Sequence, residues 1–184
     1  MLSIVYAYLP AEQKKRFESA GSDDTSKARL IYWEKGLEMM QDHPLTGVGF
    51  YNFPIYFDYY YTEFKVYKKR KEVAHNHFVE VGSSLGYPGL ITYTLILLIC
   101  FNVSRKIRKL LMQHNLNKHW IHPFTIGMDC AMLGYIIGAM FMSVAFYPYV
   151  WIHISYIVST LYATKHMINE QEKSKIGNTQ AGEI

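Results

Sequence analysis

The sequence predicts an all-α membrane protein, a helical extracytoplasmic loop domain followed by three transmembrane helices. Three observations lead there. Uncharged or nearly uncharged runs of about spanning length crowd into residues 85–164, while polar residues concentrate before Gly82 and after Lys165. The mean hydropathy of −0.04 therefore averages two unlike regions and only looks like that of a soluble protein. Half of the 184 residues are apolar and 16% are aromatic, above the share usual in a soluble domain.

Residues 1–9 (MLSIVYAYL) are apolar but too short to cross a bilayer, which needs ~20 residues. No basic n-region or small-residue cleavage site marks a signal peptide, so they read as the remnant of a transmembrane helix whose beginning is missing. Residues 10–86 form the loop domain. Asp24-Thr25-Ser26 supplies an N-cap for a helix over 26–41, with Leu30, Trp33, Leu37 and Met40 at helical spacing on one side. Asp42-His43-Pro44 ends it, because proline disfavours a helical residue before it, and Gly47 and Gly49 then permit a turn that a Cβ would resist. Residues 50–67 hold ten Phe or Tyr. Such rings either stack on the faces of ring-shaped ligands or settle at a membrane interface. The cluster Lys68-Lys69-Arg70-Lys71 either meets anionic headgroups or a diphosphate, or is a solvated loop. A second helix begins around His75-Asn76 and reaches about Leu85, where Gly86 and Pro88 mark the junction with the first span.

The spans are expected at 87–103, 123–147 and 148–164, with Tyr147-Pro148-Tyr149 turning between the last two. The connection 104–122 carries Arg105, Lys106, Arg108, Lys109 and Lys118 and no acidic residue, which assigns it to the cytoplasm. Alternation then places 10–86 outside and 165–184 inside, the latter as a polar, disordered tail. The outer segment balances 11 Lys and Arg against 11 Asp and Glu, so it lacks the positive excess of a retained loop. Cys100 and Cys130 stand in apolar runs without metal spacing and read as small buried hydrophobes. The net charge of +4 comes without a basic groove or nucleic-acid motif, so nucleic acid is not expected as a partner.

Taken singly, Arg29 is a solvated charge on an amphipathic helix and His75 a cap or surface residue. In combination they say more. Asp24-Thr25-Ser26…Arg29-Leu30…Trp33, then Asp42-His43-Pro44-Leu45…Gly47-Val48-Gly49, then Ala74-His75-Asn76-His77-Phe78…Glu80…Gly86…Gly89-Leu90 resembles the signature of the O-antigen ligase and polymerase superfamily. The motifs occur in that family's order, over about Arg16 to Phe101.

The resemblance implies a metal-independent transferase with no cofactor, in the cytoplasmic (inner) membrane of a bacterium. Its donor would be a polyprenyl-diphosphate-linked glycan. Its acceptor would be a sugar of the lipid A core (ligases), a repeat unit (polymerases) or a protein hydroxyl (O-oligosaccharyltransferases). Arg29 matches the family's loop arginine and His75-Asn76 its His-Asn motif, making Arg29 and His75 catalytic, with Asn76, Trp33, Glu80 and Arg70 expected at the substrate. The chemistry fits those roles. Departure of a polyprenyl diphosphate develops negative charge that a guanidinium meets with two parallel hydrogen bonds. A sugar hydroxyl needs a base, and histidine is poised near neutral pH. A first-turn position for His75 would keep the imidazole uncharged through the helix dipole.

Other ionisable groups are weaker candidates. Glu80 could orient a neighbour or face solvent, His77 has no assigned role and His43 serves its turn. Asp129 lies within reach of cytoplasmic lysines, and His153 lies shallowly below the outer face with no partner evident. Family members carry many more membrane helices before the loop, so the chain is expected to be a fragment or C-terminal subunit, with a separate N-terminal half and membrane lipid as partners. The rival of another class is a non-catalytic membrane module or transporter fragment. A binding module would tolerate loss of His75, and transport would call for mid-membrane groups beyond Asp129 and His153.

Overall fold

The structure, a computed structural model, describes Pro10, Lys14 and residues 24–60 and 73–181, with side chains as far as residue 174. The predicted remnant at 1–9, the cluster Lys68–Lys71 with Arg70, and the aromatic residues beyond Tyr60 lie outside the described residues. Among the described residues five helices appear in order: α1 (Asp24–Asp42), α2 (Phe53–Tyr60), α3 (His77–Gln113), α4 (Ile121–Ala139) and α5 (Pro148–Ala181). The all-α expectation holds.

Helix α1 buries only part of the side its apolar spacing marks: Met40 is buried and Trp33 half-buried, but the two leucines are not. Leu30 and Leu37 are 57% and 46% exposed, and the buried positions are Tyr32, Gly36, Met39 and Met40. Gly36 decides this: a Cβ there would stand 2.3 Å from Val79 Cγ1, so the glycine lets α1 close onto α3 where a larger residue would hold it off. Tyr32, Met39, Val48, Phe53, Phe57 and Ala74 form the core between α1, α2 and the start of α3. Met39 and Phe57 are essentially sealed from solvent, and each such side chain contributes roughly 1.5–3 kcal/mol on burial.

Helix α3 is kinked. Gly86 leaves the helical region (φ 69°, ψ −169°), and Pro88 follows inside the helix. A proline has no N–H, so the carbonyl four residues before it loses its helical donor. The DHPLTGVG turn meets that need from outside: Val48 N–H donates to Ser83 O (2.7 Å), Gly49 N–H to Ser84 O (3.1 Å), and Tyr87 N–H to Pro44 O (2.8 Å). Backbones this close leave no room for side chains. A Cβ on Gly47 would fall 2.4 Å from Ser84 C, and one on Gly86 2.5 Å from Pro44 O. Both glycines hold positive φ. Two motifs some forty residues apart thus form one joint.

Below the kink, Tyr93, Leu97 and Cys100 of α3 pack with Met132 of α4 and with Ala145 and Val150. A second cluster, Ile107, Leu111 and Ile121, closes the far end. Much of the apolar surface stays outside these clusters: Ile91, Leu95, Leu98, Ile126, Ile137 and Ile152 are all exposed. Apolar outward faces of this extent mark a surface covered by lipid or by a partner. Among the described residues, α3 is the helix long and apolar enough to cross a bilayer.

Three boundaries differ from expectation. The first span and the basic connection share one helix, because α3 continues from the kink to Gln113 without a further break. The second apolar run, expected to be helical to 147, stops at Ala139, and 140–147 form a non-helical connection. The tail expected to be disordered continues α5 to Ala181. Contacts from Glu170 to Lys173 (3.0 Å) and from Glu172 to His114 (3.5 Å) support that polar extension. Asp129 has a partner the sequence did not specify: Arg108 Nη1 lies 2.8 Å from Asp129 Oδ2, tying α3 to α4, although the angle falls short of a hydrogen bond.

Candidate functional site

The start of α3 is built around Asn76. It is the N-cap, in extended conformation (φ −160°, ψ 119°), and its Oδ1 accepts from Phe78 N–H (2.9 Å) and Val79 N–H (3.2 Å). These are two of the donors that a helix start leaves unmatched. Asn76 is 7% exposed, so its side-chain oxygen is committed to the backbone.

His75 therefore lies one residue before the cap, outside the helix. The first-turn position expected from the sequence does not hold, and with it goes the argument that helix position keeps the ring neutral. Its backbone is unusual instead. His75 has φ +48°, the left-handed region that a residue with a side chain occupies at a cost. Its N–H donates to Ser143 Oγ at 2.9 Å, and its ring lies 6.0 Å, centroid to centroid, from that of Tyr32, tilted by 39°.

Tyr32 links His75 to α1. Arg29 is three residues earlier on that helix, so the two positions are surface neighbours, and Trp33 follows directly. Arg29 is half-buried. The Trp33 ring sits 6.5 Å from that of Phe141, and its indole nitrogen is buried without a hydrogen-bond partner among the described residues. His75 is thus brought to the part of α1 that carries Arg29 and Trp33, with Tyr32 between.

Glu80 lies one turn into α3, where its Oε2 accepts from Ala145 N–H at 3.3 Å. That carboxylate points at the α4–α5 connection. Beside it His77 is fully buried, its ring stacked 5.9 Å from that of Tyr135 and edge-on to Tyr93. The Ala139 backbone carbonyl lies toward His77 without completing a well-formed hydrogen bond. Tyr135 donates to Val144 O (3.2 Å), so the 3.3 Å contact between the two phenols has Tyr93 as donor.

Two of the clefts among the described residues are formed by these helices. One, of about 360 Å³, is apolar and lined by Val81, Pro88, Tyr93, Ala145, Phe146 and Trp151, among others. The other, of about 620 Å³, is lined by Asp42, His43, Ile55, Tyr56, Tyr59 and Tyr60. There burial and the hydrogen bond to Asp42 push the Tyr60 phenol up to about 12. It contains none of the residues singled out for catalysis.

Of the residues selected from the sequence, Arg29, Trp33, His75, Asn76 and Glu80 belong to the α1–α3 junction and its surroundings, and Arg70 lies outside the described residues. Tyr32 and Ser143, which touch His75, were not selected. Tyr32 looked like one aromatic among many, and Ser143 stood inside a run read as a span. Its only signal was a small polar residue close to the end of that run.

These features define a class: a membrane-associated helical protein whose polar centre sits above a kinked, lipid-compatible helix. The chain belongs to the O-antigen ligase family, which matches residues 1–94. The matched segment contains the whole of α1, the DHPLTGVG turn, the His-Asn cap and the kink. No curated protein and no solved structure matches the chain significantly.

Proposed function

We propose that the protein transfers a glycan from a polyprenyl-diphosphate carrier to an acceptor hydroxyl at the outer face of the cytoplasmic membrane. In this reading His75 removes the acceptor proton as the acceptor oxygen bonds to the anomeric carbon. The bond from that carbon to the diphosphate oxygen breaks, and the electron pair leaves with the polyprenyl diphosphate. Arg29 meets the charge that develops there, with two N–H groups suited to two phosphate oxygens.

The observation that carries the reading is the backbone of His75. Non-glycine residues at positive φ cost of order 1–3 kcal/mol and cluster at active sites, where the surroundings hold them. Three non-glycine residues among the described ones have positive φ, Tyr51, His75 and Asn115, and of these His75 is the base the family motif singles out, between the Asn76 cap and the Ser143 hydroxyl. The apolar cleft beside Ala145 and Phe146 supports the same reading, since a lipid-borne donor needs a hydrocarbon path next to a polar reaction centre.

The topology that goes with this function has α3, α4 and the first half of α5 crossing the membrane, with 10–86 outside. At 37 residues, α3 would measure about 55 Å if straight. A ~30 Å hydrocarbon core leaves its first limb projecting outward and Arg105–Lys109 at the inner face.

Replacement tests the function. In the full-length protein in its native membrane, His75→Ala and Arg29→Ala are each expected to lower glycan transfer by about 100-fold or more, with membrane insertion unchanged. Loss of lipid-linked glycan, followed by chromatography, is the readout. Transfer at the parental rate by His75→Ala would favour a non-catalytic membrane module.

A further inference from the structure

The connection between α4 and α5 touches the candidate site at three consecutive residues. Ser143 Oγ accepts from His75 N–H (2.9 Å), Val144 O accepts from the Tyr135 hydroxyl (3.2 Å), and Ala145 N–H donates to Glu80 Oε2 (3.3 Å). Aromatic contacts hold both flanks. Phe141 packs on Trp33 of α1, and Phe146 meets Phe50 edge-on with ring centres 4.8 Å apart. The connection is a strap laid across the start of α3, more than sixty residues away in the chain.

Only one of these bonds reaches His75. A left-handed backbone at a residue with a Cβ is not self-sustaining and needs surroundings that fix it. On the C-terminal side the Asn76 cap does so by starting the helix. On the N-terminal side the described backbone bond at His75 is its N–H to Ser143. With the N–H direction set, the Cα–Cβ bond of His75 is fixed in direction, and it starts the imidazole toward the side where Tyr32 lies.

We propose that Ser143 is a positioning residue for the transfer reaction, its hydroxyl oxygen holding the His75 backbone in the left-handed conformation and so aiming the imidazole at the acceptor. Glu80 acts one step further back, fixing the strap through Ala145 so that Ser143 arrives at the right place. The assignment rests on His75 being the base of the proposed function. It moves Glu80 from substrate binding to support of the strap.

Ser143→Ala removes the acceptor oxygen and Ser143→Thr keeps it. Both are made in the full-length protein in lipid nanodiscs with ¹⁵N-labelled histidine and valine, the His75 amide identified by its loss in His75→Gln and the Val48 amide by its loss in Val48→Leu. Ser143→Ala should speed hydrogen exchange at the His75 amide by roughly tenfold or more. It should also lower the rate at saturating donor by about tenfold or more, with the half-saturating donor concentration changed by less than about twofold. The donor is the polyprenyl-diphosphate-linked glycan extracted from the source cell's membranes. Ser143→Thr should restore both quantities.

The proposal is overturned if Ser143→Ala keeps the parental rate, or if Ser143→Thr is as impaired as alanine. It is equally overturned if the Val48 amide, bonded to Ser83 O in the α3 joint, speeds up as much as that of His75, because that result marks a general packing role. Retained transfer by His75→Ala would remove the catalytic reading itself. Loss of transfer in His75→Ala with none in Ser143→Ala would remove only the positioning role.

Discussion

Asn76 illustrates how a residue can match a family motif and still have its side-chain oxygen occupied by backbone. Its Oδ1 serves Phe78 and Val79, so its contribution to the site is to end the His75 conformation and begin α3. Asn76→Ala leaves both N–H groups without that acceptor and should lower stability by about 1 kcal/mol, seen as an earlier midpoint in denaturant unfolding. Asn76→Asp keeps an acceptor oxygen and should unfold near the parental midpoint. A substrate-binding role alone would leave the two variants equally stable. The spacing of Arg29, Trp33, His75 and Asn76 was readable from the chain. The left-handed φ of His75 was not, because residue type and spacing do not encode the backbone angle of a residue whose N–H bonds 68 positions away.

Among the elements, the joint between the DHPLTGVG turn and the kinked α3 shows why glycines recur in these motifs. Gly47 needs a positive φ and also stands where a Cβ would strike the Ser84 backbone. Gly47→Ala should therefore destabilise by roughly 2–5 kcal/mol, from left-handed strain plus overpacking, and proteolysis in membranes should show much less intact protein. Gly134, midway along α4, has nothing within 4 Å of a Cβ. Gly134→Ala should be neutral or gain up to about 1 kcal/mol of helix propensity. The sequence marked Gly47 and Gly49 as turn formers and Gly86 with Pro88 as a junction. It did not reveal that they meet, since each reads locally as a break. The buried side of α1 was only partly legible for a related reason, since Met40 and Trp33 of the spaced set do turn inward. Leu30 and Leu37 of that set stay exposed, because the close approach at Gly36 turns Tyr32 and Met39 inward.

For the whole molecule, the proposed topology sets the two ends of α3 in different compartments. In a Cys100→Ala, Cys130→Ala background, Glu34→Cys on α1 should react with a membrane-impermeant maleimide added to intact spheroplasts. Lys118→Cys, in the connection after α3, should react only once the membrane is opened. Labelling of Lys118→Cys in intact spheroplasts would reverse the orientation. The ion pair of Arg108 with Asp129 sits at the end of α3 assigned to the cytoplasm. There an arginine near the interface satisfies an acid that the hydrocarbon would not.

The sequence by itself determined the helical class, the apolar stretches suited to lipid, the family and the residues of its motif, because periodicity, composition and short-range spacing are local properties. Only the tertiary structure decided which face of α1 is buried, how the glycine turn completes the α3 kink, and that the connection after α4 lies across His75. Those arrangements follow from hydrogen bonds and close approaches between segments far apart in the chain. Their partners are chosen when unmatched backbone groups must be satisfied within one packed molecule.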